Sequence, residues 1–190
     1  CGVIESLRSV FGFVPENFVP GHPIAGAETS GAAAALSGLF EHRRVILTPL
    51  PETDARALDR VREAWLALGA KVSLMAPDHH DEVLAATSHL PHVLAFVLTE
   101  LLGRCDNDRE LFSFAAGGLR DFTRIAASDP RMWRDICLSN RDQLLPLMER
   151  YRDALGTAAA LMRSGDGEAL MRLFADAGAH RKRFVDQLEK

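Results

Sequence analysis

The sequence predicts an α/β segment followed by an all-α one, with the change near residue 77. Three observations carry this. Arg44-Val45-Ile46-Leu47-Thr48 and Lys71-Val72-Ser73-Leu74-Met75 are strand-like runs with a helical pattern between them. Strand, helix, strand at that spacing is a βαβ unit, hence parallel strands with a right-handed crossover. After Pro77 the strand patterns stop, and apolar residues recur at helical spacing to the end. The first part offers only about three strands, few for a freestanding parallel sheet with uncovered edges. It reads as the C-terminal half of a Rossmann-type parallel sheet. Residues 1–76 are therefore expected to be part of a nucleotide-binding domain, and residues 77–190 a helical domain.

The elements follow in order. Val3, Ile4, Leu7, Val10 and Phe11 share one face of a short helix that Gly12 ends. Phe18-Val19 reads as a brief strand running into the turn Pro20-Gly21-His22-Pro23. Ala32 to Ala35 is a short alanine run in a helix. Strand 44–48 is closed by Pro49 and Pro51. Thr53 or Asp54 can cap the next helix, which carries Leu58, Val61, Trp65 and Leu68 on one face and stops at Gly69. From Asp78 to Leu102 the spacing predicts one long helix, kinked at Pro91 because proline lacks the backbone donor. Gly117-Gly118 should break any helix, with a short one from Leu119 to Ala127. Pro130 fits the first position of another. Asn140 or Asp142 restarts the helix, Gly165-Asp166-Gly167 is a turn, and the last helix runs through Leu170, Phe174, Ala177 and Leu188.

Composition narrows the function classes. The 190 residues are 47% hydrophobic and 25% charged with net charge −4, the balance of a soluble globular protein. No uninterrupted apolar run reaches about 18 residues, so no membrane partner is expected. No signal peptide pattern is visible. The weak acidity gives no reason to expect a nucleic-acid partner. Cys1, Cys105 and Cys137 form no C-x-x-C pair, which suggests neither a disulfide framework nor a metal site. A reducing cytoplasm is the simplest setting. The chain begins with Cys1 rather than Met, inside what looks like an element, and is expected to be a piece of something longer.

Candidate chemistry clusters at three places. His22 follows a predicted strand, where open α/β sheets bind ligands, and an imidazole there can act as a base near neutral pH. The plainer alternative is a turn histidine facing water. Glu28 can sit at the rim of the same site, while Thr29 or Ser30 caps the alanine run. In Ser88-His89-Leu90-Pro91-His92 the two histidines share a helix side. A zinc site would need a further ligand from His79-His80-Asp81, and the spacing is not H-E-x-x-H. Those three residues are more simply a polar helix start, and His92 facing a cleft is the better functional reading. Arg124, in Gly117-Gly118-Leu119-Arg120-Asp121-Phe122-Thr123-Arg124, offers a planar fork for a carboxylate, against the alternative of a weak surface pair. Trp133 is of the type that fills cores or subunit contacts. The fingerprint G-x-G-x-x-G is absent from these residues; Gly165-Asp166-Gly167 is nearest but lies between helices.

Taken together these segments resemble the prephenate/arogenate (cyclohexadienyl) dehydrogenase family of tyrosine biosynthesis. The motifs are Gly21-His22-Pro23-Ile24-Ala25-Gly26-Ala27-Glu28-Thr29-Ser30-Gly31, then Ser88-His89-Leu90-Pro91-His92, then Gly117 to Ala126 with Ser128-Asp129-Pro130-Arg131-Met132-Trp133. The resemblance implies oxidative decarboxylation of prephenate or arogenate, with hydride transfer to NAD or NADP. It implies that His22 takes the proton of the ring hydroxyl, and that Arg124 holds substrate carboxylate. By the same resemblance His92 and Ser88 line the nicotinamide side, and Glu28, Gly117 and Trp133 sit at the pocket mouth. The helical domain would then be a homodimerisation domain similar to that of 6-phosphogluconate dehydrogenases, with tyrosine as a candidate inhibitor. The family's glycine loop and the serine expected just before residue 1 are missing. The resemblance therefore carries the expectation that these 190 residues dimerise without turning over substrate. A catalytically silent dimerisation or regulatory module is the alternative.

Overall fold

The computed structural model describes residues 2–26 and 35–188. The chain divides into two compact units, Cys1–Leu144 and Leu145–Lys190.

The first unit opens with helix α1 (Gly2–Phe11). Gly12 ends it with φ +77, the left-handed region that glycine adopts at no steric cost. Three strands follow: β1 (Gly21–Pro23), β2 (Arg44–Leu47) and β3 (Lys71–Leu74), in the order β1-β2-β3. Helix α2 (Ala55–Ala67) crosses from β2 to β3, which pair in parallel as the βαβ pattern predicts. Asp54, not Thr53, caps α2, its carboxylate accepting from Ala57 N–H at 2.8 Å. Val45 and Leu47 are fully buried, with Ala70 beside them and Phe40, Leu58, Val61 and Trp65 packed around.

The α/β-plus-helical class stands, but the sheet is mixed rather than wholly parallel. β1 runs antiparallel to β2, with His22 opposite Ile46. Phe18-Val19, expected as the strand, lies outside the ladder, which begins after Pro20; the Pro20 carbonyl accepts from Thr48 N–H. Pro23 has no donor and is tolerated because β1 is an edge strand. At Gly21 a Cβ would stand 3.0 Å from Leu47 Cδ2, so a larger residue would push that buried methyl by a few tenths of an ångström. The alanine run falls mostly outside the described residues.

Past β3 the described residues are helical. Helix α3 (Pro77–Leu84) passes into a π-turn (Ala85–His89) and then α4 (Leu90–Gly103). The expected break at Pro91 is therefore absorbed just upstream, where Leu90 N–H bonds to Ala85 O, five residues back. Counted as one run, Pro77–Gly103 is 27 residues long and apolar enough by length and composition to cross a membrane, although no uninterrupted apolar stretch announces it. Helices α5 (Asp108–Ser113) and α6 (Gly117–Thr123) follow, then a 3-10 turn (Arg124–Ala127) and α7 (Pro130–Ser139). Gly117-Gly118 starts α6 instead of breaking a helix. Pro130 does take the first turn of α7, and Asp129 caps it through Met132 N–H.

Helix α8 (Arg141–Ser164) runs from the end of the first unit into the second. Within the second unit Gly165 and Asp166 turn the chain, and the Asp166 carboxylate caps α9 (Gly167–Leu188) by accepting from Ala169 N–H.

Candidate active site

Three pieces of local structure bring the histidines together in the first unit. Edge strand β1 presents His22 on the wall of a cleft of about 680 Å³, whose other lining includes Val3, Ile4, Thr48, His80, Asp81, Met132 and Ile136. Helix α3 starts at Pro77, so its first turn carries His80 and Asp81 to the same cleft. The π-turn and α4 then place His89 and His92 against Trp133 of α7, with Ser88 one turn before His92.

The contacts form a chain. His22 Nδ1 lies 2.9 Å from His80 Nε2, with the rings edge to face. His80 Nδ1 lies 2.8 Å from Asp81 Oδ1. Buried Asn140, which follows α7, donates from Nδ2 to the Asp81 carbonyl at 2.8 Å and to His89 Nδ1 at 3.0 Å. His92 stacks on Trp133, with ring centroids 3.6 Å apart and planes 17° apart. Its Nδ1–H donates to the Ser88 carbonyl at 2.9 Å. Trp133 is 8% exposed, and its indole N–H has no hydrogen-bond partner among the described residues.

The electrostatics favour neutral imidazoles. Burial pushes His22 below its ordinary value of 6.5, and His80 pushes the same way against the pull of Asp81. Burial also lowers His89, against Asp81, with His22, His80 and His92 adding to the fall. His92 is lowered by burial first and by the Arg124 guanidinium, against its bond to the Ser88 carbonyl. A neutral imidazole keeps one lone pair and can accept a proton near pH 7.

Of the residues singled out in the sequence, the structure gathers His22, Ser88, His92 and Trp133 into or beside this cluster. His22 stands in a strand rather than in a turn after one. Arg124 is exposed at the start of the 3-10 turn, and its charge reaches His92. Gly117 opens α6 with nothing near the place a Cβ would occupy. Glu28 lies outside the described residues. Sequence reasoning missed His80 and Asp81, read as a polar helix start, and Asn140, read as a helix restart. Only His79 fits the first description, exposed and paired with Glu82. One signal was present: Asp81 sits on the buried stripe Asp81, Leu84, Ala85, where an unpaired carboxylate would be costly. Among the described residues no group of three or more His, Cys, Asp and Glu could hold a metal ion.

The chain is similar to several known proteins. Residues 76–176, more than half of the chain, match the prephenate dehydrogenase dimerization domain, and residues 3–74 match the prephenate dehydrogenase nucleotide-binding domain. A cyclohexadienyl dehydrogenase of Zymomonas mobilis is 39% identical over 161 residues, 84% of this chain and 55% of that protein. A prephenate dehydrogenase of Bacillus subtilis is 39% identical over 165 residues, 86% of this chain and 44% of that one. The chain thus spans about half the length of these relatives. The crystal structure of A. aeolicus prephenate dehydrogenase with hydroxyphenyl propionate and NAD+ superposes with a TM-score of 0.86 at 37% identity, over 96% of this chain and 63% of that one. The chain belongs to the prephenate dehydrogenase family.

Proposed function

We propose that this chain supplies the substrate pocket and the dimer contacts of a cytoplasmic dehydrogenase that oxidatively decarboxylates prephenate or arogenate. Residues 1–76 belong in this reading to the nucleotide-binding part, and residues 77–190 to the dimerising and substrate part. The observation that carries it is a neutral imidazole, His22, on the wall of a largely apolar cleft, with no partner at Nε2 among the described residues.

That nitrogen is placed to take the proton of the ring hydroxyl as hydride leaves the same carbon. The ring carboxylate departs as CO2, and the electron pair of the broken C–C bond completes the aromatic ring. Arg124 holds the substrate's other carboxylate by a charge-assisted pair, and Gly117 edges the pocket. Trp133 fixes His92 by stacking beneath it. The residues present fit the nicotinamide end of NAD or NADP: Val3, Ile4, Met132 and Ile136 make apolar walls beside His22, and the Ser88 hydroxyl has no partner among the described residues. A bound nicotinamide supplies the hydride acceptor. Tyrosine carries the same ring oxygen and side-chain carboxylate and fits the pocket as an inhibitor.

A homodimer gives the helical faces an occupant. Val97, Leu101, Phe114 and Phe122 are exposed in the first unit, as are Leu155, Met162, Phe174 and Phe184 in the second. Apolar surface on that scale marks an interaction face.

The test is kinetic, on the whole gene product with prephenate and NAD+. Replacing His22→Asn should lower kcat by about 10²–10⁴-fold, with KM little changed. Replacing Arg124→Ala should act mainly on KM. An unchanged kcat in the His22 variant would remove the reading.

A further inference from the structure

We propose that His80 and Asp81 fix the tautomer of His22, holding the proton on its Nδ1 and leaving the Nε2 lone pair facing the cleft. The tautomer is a property of this chain's own residues; only the identity of the proton that Nε2 takes rests on the function proposed above.

The argument runs from the carboxylate outward. An ionised carboxylate accepts hydrogen bonds and donates none. Asp81 Oδ1 stands 2.8 Å from His80 Nδ1, so that nitrogen carries the proton. A neutral imidazole protonated at Nδ1 has its lone pair at Nε2. His80 Nε2 in turn stands 2.9 Å from His22 Nδ1. Two lone pairs cannot share that contact, so His22 Nδ1 bears the hydrogen and donates it. The remaining nitrogen of His22 is then the basic one, and no described residue occupies it. When Nε2 gains a proton, the imidazolium keeps its Nδ1–H on His80, and the new charge faces Asp81 through that bond.

The end of this relay is anchored. The His80 and Asp81 side chains are 17% and 12% exposed, and Asn140 grips the Asp81 carbonyl from α7. The same amide sets the other histidines apart. Asn140 Nδ2 donates to His89 Nδ1, which must be the unprotonated nitrogen, so His89 carries its proton at Nε2. His92 donates from Nδ1 to the Ser88 carbonyl and keeps its lone pair at Nε2. His80 and Asp81 are thus positioning residues for His22, and His89 is an internal control of opposite tautomer. Free imidazole side chains in water favour the Nε2–H form, so His22 without His80 would present the wrong nitrogen.

Two-bond 1H–15N correlation spectra of 15N-histidine-labelled protein, at about pH 8 where unperturbed imidazoles are neutral, read the tautomers directly. The His22 signals are assigned by their loss in His22→Asn. The expected wild-type result is Nδ1–H at His22, His80 and His92, with Nε2–H at His89. In His80→Leu, His22 should move mainly to Nε2–H; in His80→Gln, whose Oε1 still accepts, it should stay Nδ1–H. An Nε2–H His22 in the wild type, or an unchanged His22 in a folded His80→Leu, overturns the proposal. If His80→Leu does not fold, the wild-type and His80→Gln spectra decide it. In the whole gene product, His80→Leu should lower kcat at least about tenfold, with KM held and His80→Gln recovering most of it. A wild-type protein without dehydrogenase activity would sink the functional reading and leave the spectra to judge the tautomer on their own.

Discussion

The sheet region and the helical region are both rich in apolar side chains, yet they hide them differently. Around β2, Val45 and Leu47 are fully buried under α2 and its neighbours. In the helices, Val97 is 57% and Leu101 63% exposed, and no residue from 145 to 187 is buried. The first region closes a core under α2, while Phe11, Phe13 and Leu74 stay exposed. In the helices the buried residues all precede residue 145, Trp133, Asn140 and Leu144 among them, and the histidines meet at Trp133 and Asn140. Incompleteness in the helices is what a dimerisation domain needs: faces that a second copy covers. The packed patch is what a proton-accepting site needs, because burial keeps its imidazoles neutral.

The sharpest way to break this comparison is to open the sheet core. Replacing Leu47→Ala removes a side chain with no exposure and should destabilise the protein by about 2–5 kcal/mol. Chemical denaturation would measure it. A loss below about 1 kcal/mol would mean that the core under α2 is not the closely packed one described.

The helical faces answer to a different measurement. Val97→Glu with Leu101→Glu places two charges on α4 where the isolated chain has solvent, so the fold should lose little. A dimer that covers this face would instead have to bury them. Sedimentation equilibrium should show the wild type at twice the chain mass and the double variant at the chain mass. A wild type that stays monomeric would end the idea that the helical region is incomplete by design of its assembly.

The two regions also differ in how much of them could be read from residues alone. The βαβ unit was legible because its signals are local: a strand run, a cap at Asp54, a helical stripe, and a glycine stop. Edge strand β1 was not, because three residues containing a proline carry no period, and their direction is set by β2, which starts 21 residues after β1 ends. The same distance effect divided the site. His22 stands in a recognisable Gly-His-Pro motif. Its partner His80 is 58 positions away, and Asn140 is 59 beyond Asp81, so only the folded chain shows that they touch. The proline kink shows a third case: Pro91 predicted a disturbance correctly, while its form, a π-turn ending two residues earlier, is not written in the proline alone.

The smallest expected effect sharpens the contrast within the helices, by asking whether the histidine patch is truly buried. His22, His89 and His92 are each lowered below 6.5, with burial the leading cause in all three. In the unfolded chain they return to about 6.5. Well above pH 6.5 neither state binds many protons at these groups; by about pH 6.5 the unfolded ones are about half protonated, and the loss of stability has begun. As pH falls below 6.5 the unfolded state binds more protons than the folded one, so unfolding becomes easier until the folded-state values are passed. Thermal melts from pH 7.5 to 5.5, above the range where most carboxylates titrate, should therefore show Tm falling on the acid side. His92→Gln should shallow that slope by removing one of the three groups. A Tm that rises on acidification would place the imidazoles in a setting that welcomes charge, and the packed patch could then no longer be what distinguishes this part of the helical region from its open faces.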